Sequence, residues 1–82
     1  MKYRQSFLYE NQSVTSAMRL VIEPWGELYV IKPGDSVEVV AWANEPDLTF
    51  EIHQDVSKLK IFWSGETVEI FRDGQLVEQS PQ

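Results

Sequence analysis

The chain carries a single histidine, His53, with Glu51 and Asp55 two residues to either side. In a strand, residues two apart share a face, so all three would line one side. Such a triplet could form a weak surface metal site. A zinc site normally takes Cys and His ligands, and this chain has no cysteine and no second histidine, so carboxylates would have to complete it. The simpler reading is an exposed histidine near a strand end. Ser57 and Asp55 stand nearby, but Ser–His–Asp catalysis needs a base oriented by a buried acid with a nucleophile in reach. Nothing in this spacing provides that. None of the 13 acidic residues is marked as one of a glycosidase pair, and the four glycines are too scattered for a phosphate-binding loop. The chain is therefore expected to be no enzyme, with no catalytic residue, no cofactor and no metal.

The aromatic residues are a second candidate chemistry. Trp25, Trp42 and Trp63 could stack on sugar rings, or could simply be core. Trp25 and Trp42 both fall within the stretch EPWGELYVIKPGDSVEVVAWA, together with Tyr29. The candidate interaction surface read from the sequence is Trp25, Tyr29, Ile31 and Trp42.

These residues need elements to position them. No long segment places apolar residues at i, i+3, i+4 and i+7, and short runs rich in Val, Ile, Phe, Tyr and Trp alternate with turn residues instead. The runs cover residues 3–9, 17–23, 27–32, 36–43, 48–53, 58–63, 67–72 and 75–78. Pro33-Gly34 suits a type II turn, because proline presets φ and glycine accepts the positive φ that follows. Asp73-Gly74 between apolar runs reads as a type I′ hairpin. The expectation is one all-β domain over residues 1–82: a compact antiparallel sandwich or small barrel of about seven to eight short strands, connected as a meander. The tail, residues 79–82, is expected to be loose.

Several strands are apolar on both faces. Val40 and Trp42 oppose Val37, Val39 and Ala41, and Tyr29 and Ile31 oppose Leu28 and Val30. Phe62 opposes Ile61, and Phe71 opposes Ile70. One sheet face should be polar if it meets water. A bulge that switches faces would explain the surplus as core. A second subunit covering the face would explain it as interface, and a ligand cleft would explain it as binding site.

Seven basic residues against 13 acidic ones give a net charge of −6. Affinity for phosphate backbones comes from clustered Lys and Arg, and here only Lys58 and Lys60 come close to a cluster. Nucleic acid and anionic membranes are thus not expected partners. A basic protein is. The residues after Met1 lack the apolar run of a signal peptide, no stretch is long enough to span a membrane, and cysteine is absent, so a cytoplasmic setting is expected. Asn11-Gln12-Ser13 matches a glycosylation acceptor, which without secretion is a chance match.

Residues 20–41, with Glu23-Pro24-Trp25-Gly26-Glu27 between two apolar strands and Pro33-Gly34 before a third, resemble a pattern of short bacterial all-β proteins of uncharacterised function. That resemblance implies a bacterial all-β domain and brings no activity or site residue. A fainter likeness to cupredoxin-like sandwiches extends only to fold class, since one histidine and no cysteine cannot make a blue-copper site. The functional expectation is a non-enzymatic interaction domain that self-associates, as a dimer, through an apolar sheet face or edge. The alternatives are a small-ligand or carbohydrate-binding module using the same aromatics, and an acidic inhibitor or immunity-type protein for a basic partner.

Overall fold

The computed structural model describes residues 2–80 and contains eight strands and no helix among them. They are β1 (Tyr3–Glu10), β2 (Met18–Glu23), β3 (Glu27–Ile31), β4 (Ser36–Ala43), β5 (Glu51–Gln54), β6 (Lys58–Phe62), β7 (Thr67–Arg72) and β8 (Gln75–Leu76). Two four-stranded sheets, ordered β1-β4-β7-β8 and β3-β2-β6-β5, pack face to face as a sandwich. Each strand gives alternate residues to the space between them. Leu20, Ile22, Ile31, Val39, Ala41, Ile61 and Ile70 are wholly buried there.

The turns follow their local chemistry. Asp73 and Gly74 have φ of 53° and 79°, as a type I′ turn requires, and they join β7 to β8 with Arg72 opposite Gln75. Gly34 has φ of 81°, and the Asp35 amide donates to the Lys32 carbonyl at 3.1 Å, closing the turn around Pro33-Gly34.

The connectivity departs from a meander. The chain changes sheet between β1 and β2, β3 and β4, β4 and β5, and β6 and β7. Five of the six strand pairings are antiparallel, but β2 and β6 pair in parallel, with Leu20 opposite Leu59 and Ile22 opposite Ile61. A parallel pair needs a long crossover connection. Here the intervening strands β3, β4 and β5 supply it. The two central strands of that sheet are thereby brought together, and their inward apolar residues, Leu20, Ile22, Leu59 and Ile61, are buried.

No bulge interrupts the β1–β4 register, which runs unbroken from Tyr3 opposite Ala43 to Glu10 opposite Ser36. Face-switching within these strands therefore does not absorb the apolar surplus. In β3 the expected faces are exchanged: Tyr29 and Ile31 point into the core, and Val30 is the exposed residue. In β4, Val40 points away from the inter-sheet core yet is only 3% exposed, covered among its own sheet neighbours opposite Ser6 and Glu69.

The two flanks of the sandwich are closed by irregular segments. The segment before β5 was expected to be strand from residue 48, but pairing starts at Glu51. Leu48 and Phe50 instead turn inward and pack on the core between β1 and β5. On the opposite flank the chain leaves β8, places Val77 against the core, and ties the Ser80 amide to the Leu28 carbonyl of β3 at 2.6 Å. Residues 79 and 80 thus belong to the fold, while residues 81 and 82 lie outside the described residues.

Candidate interaction groove

Of the four residues singled out for an interaction surface, the structure separates two from the other two. Tyr29 is 6% exposed and Ile31 is wholly buried, so neither can present a contact face. The reason is register: β3 pairs with β2 with Met18 opposite Ile31 and Leu20 opposite Tyr29, and those β2 residues are core. Alternation along β3 between two apolar faces gave no sign of which one the partner strand would turn inward.

Trp25 and Trp42 are brought together. Trp25 stands in the turn between β2 and β3 and is 45% exposed. The Glu23–Pro24 bond is cis, Gly26 has φ of 73°, and the Gly26 amide donates to the Ile22 carbonyl at 2.8 Å. Trp42 lies half-buried on the outer face of β4, opposite Arg4 of β1 and Thr67 of β7. The two indoles line one surface cavity of about 320 Å³ together with Glu27, Glu66, Val68 and Glu69. A second cavity of about 440 Å³ shares Glu27, Val68 and Glu69 with it and runs on past Tyr29 to Leu76 and Glu78. Together they form a groove along the flank between β3 and β7.

The groove is electrostatically one-sided. Glu27, Glu66, Glu69 and Glu78 line it, and no Lys or Arg does. The basic side chains that form ion pairs among the described residues lie elsewhere: Arg4 with Glu38 at 3.5 Å, Arg72 with Asp35 at 3.9 Å, and His53 with Glu51 at 2.5 Å. The Glu66 carboxylate accepts the Asn44 amide at 3.0 Å, which fixes it at the groove end. The Tyr29 hydroxyl donates to Glu27 at 3.4 Å. Burial, and then the charge of Glu27 beside it, push the Tyr29 phenol up to about 12.

The third tryptophan serves the fold. Trp63 is 3% exposed, stacks at a tilt on Phe50 with ring centroids 4.8 Å apart, and donates Nε1–H to the Trp42 carbonyl at 3.1 Å. Phe50 in turn meets the edge of Phe7 at 5.0 Å. Gly65 makes this packing possible, because a Cβ there would stand 2.8 Å from the Trp42 carbonyl oxygen.

The histidine neighbourhood takes a different form from a metal site. His53 lies on exposed β5, its ring against Phe62 at 5.0 Å, and the shallow cavity beside it also holds Lys58 and Lys60. Two ammonium groups oppose a cation there. No group of three or more His, Cys, Asp or Glu suited to a metal ion occurs among the described residues.

Sequence reading missed one organising residue. Asn11, part of the glycosylation match, is 3% exposed. Its Nδ2 donates to the carbonyls of Ser16 (2.9 Å) and Ile31 (3.0 Å), and its Oδ1 accepts the Ser13 amide at 3.1 Å. Its backbone bonds both Gly34 and Asp35, so it latches the β1–β2 loop to the β3–β4 turn. An asparagine can bond the backbone two residues on and so signals a local turn, but its long-range partners have no mark in the sequence.

Among the described residues no helix is long and apolar enough to cross a membrane. Comparison of the chain with protein-family models, with curated proteins and with solved structures finds no match.

Proposed function

We propose that the protein is a non-enzymatic interaction domain that self-associates through the outer face of the β1-β4-β7-β8 sheet. The observation that carries this reading is one row of side chains across that face. Leu8, Glu38, Phe71 and Leu76 stand opposite one another in register, with Leu8 79% and Leu76 58% exposed. Large exposed apolar side chains grouped on one sheet face, here flanking the Arg4–Glu38 ion pair, are a form an interface takes. A two-fold pairing of this face would place the same row on both copies. A cytoplasmic setting and a bacterial source belong to the same proposal, supported by the absence of cysteine and by the Pro-Trp-Gly pattern.

Absolute mass by light scattering over an about hundredfold concentration range tests it. A dimer is expected, and Leu8→Lys should return it to monomer with a cooperative urea transition retained, its midpoint lowered only by the share that dimerisation contributes, since the residue is exposed. A monomer at every concentration overturns the reading.

A further inference from the structure

We propose that the Trp25–Trp42 groove is a docking site for an extended, basic segment of another protein, taking its arginine or lysine side chains. The inference rests on the interaction-domain reading but uses a different surface, which meets the self-associating face only at Leu76. Three observations converge on it. First, two indoles, one from the β2–β3 turn of one sheet and one from β4 of the other, border the same cavity. Indole faces attract guanidinium and ammonium groups, and Trp is the best of the aromatics at this. Second, four glutamates and no basic residue line the continuous groove, although the chain has seven Lys and Arg to place. Carboxylates beside an aromatic surface favour a cation over a neutral sugar, and an arginine can meet them through charge-assisted hydrogen bonds. Third, the groove follows an incomplete strand edge. β8 pairs only with Phe71 and Arg72 of β7, and the Val77 amide adds one bond to the Ile70 carbonyl. Among the described residues no strand continues that pairing toward Val68, which lines both cavities. An incoming segment can therefore lie alongside β7 in the manner of an added strand, with alternate side chains entering the acidic groove.

The probe is a hexa-arginine peptide, followed by amide and indole signals of the labelled protein. Trp25 and Trp42 indole signals and the Val68 and Glu69 amides should move together. The dissociation constant should rise about tenfold or more between about 50 and about 300 mM salt, as for an exposed charged contact. Trp25→Ala, and separately Glu69→Gln with Glu78→Gln, should each weaken binding about tenfold. A urea midpoint on each variant shows that the fold is retained.

Five outcomes overturn the inference. The peptide could leave these signals unmoved, shift acidic residues all over the surface alike, or bind Trp25→Ala unchanged. A panel of neutral sugars could quench the tryptophans where the peptide does not. If the indole signals move on concentrating the protein alone, and reversing the basic pair that stands opposite across β2 and β6 (Arg19→Glu with Lys58→Glu) abolishes that change, the occupant is a second copy, which also overturns it. The Leu8→Lys variant, outside the groove, keeps the two readings apart: loss of the dimer with retained peptide binding, or the reverse, shows which one fails.

Discussion

The two flanks of the sandwich face the same physical problem and solve it differently. Each is a gap between sheet edges that would admit water to the core. Between β1 and β5 the gap is filled by aromatics in sequence, Phe7 on Phe50 on Trp63. Gln5 Nε2 also donates to the Leu48 carbonyl there, pinning the segment that carries Phe50. Between β3 and β7 the gap is only strapped, by Val77 and the Ser80 bond, and a groove with two indoles and four glutamates stays open. The difference is what makes the open flank the candidate surface. A small domain has little stability to spare. One flank is closed by packed aromatics, and the other keeps Trp25, Trp42 and four carboxylates lining a groove, the proposed docking surface.

The comparison can be broken most severely from the packed side. Trp63→Ala should cost about 3–5 kcal/mol, enough to unfold much of the population, read as a large fall in urea midpoint. Gly65→Ala should cost about 1–3 kcal/mol by pressing a Cβ onto the Trp63 ring and the Trp42 carbonyl, and near-ultraviolet circular dichroism should register the displaced indole. The open flank should respond more gently.

Tyr29 offers a test there without substitution. Its phenol is raised from 10.0 to about 12, so the stability it contributes is complete below pH 10 and is lost as pH climbs toward 12. Burial raises the Tyr9 phenol too, so phenolate absorbance should show Tyr29 ionising last, and the urea midpoint should fall across that window. An ordinary titration of all three tyrosines would show that the flank admits water as far as Tyr29. Val77→Ala, which loosens the strap, should cost about 1 kcal/mol because the residue is only half-buried. Trp25→Ala should change stability least, by under about 1 kcal/mol, since the side chain is 45% exposed. A larger loss would move Trp25 from the docking surface into the structural frame and make the flanks alike.

Much of the fold was legible because local backbone chemistry and period-two patterning are local properties. Asp73-Gly74 and Pro33-Gly34 make their turns where their φ preferences put them, and the eight apolar runs became the eight strands. The candidate site was half legible. Trp25 follows a proline and precedes a glycine in a turn, which keeps it near the surface. Tyr29 and Ile31 were misplaced because a strand apolar on both faces carries no sign of which face turns inward.

Length, composition and turn chemistry by themselves determined that this is one small acidic β domain with short strands and tight hairpins. The tertiary structure alone decided that β2 and β6 run parallel, that Asn11 latches two distant turns, that Phe50 leaves strand geometry to plug a flank, and that Trp25 and Trp42 share a groove with four glutamates. The physical reason is range. A turn is set by the φ preferences of two adjacent residues, whereas a long-range pairing is chosen by the burial and hydrogen bonding of the whole chain at once, and no single segment encodes its partner.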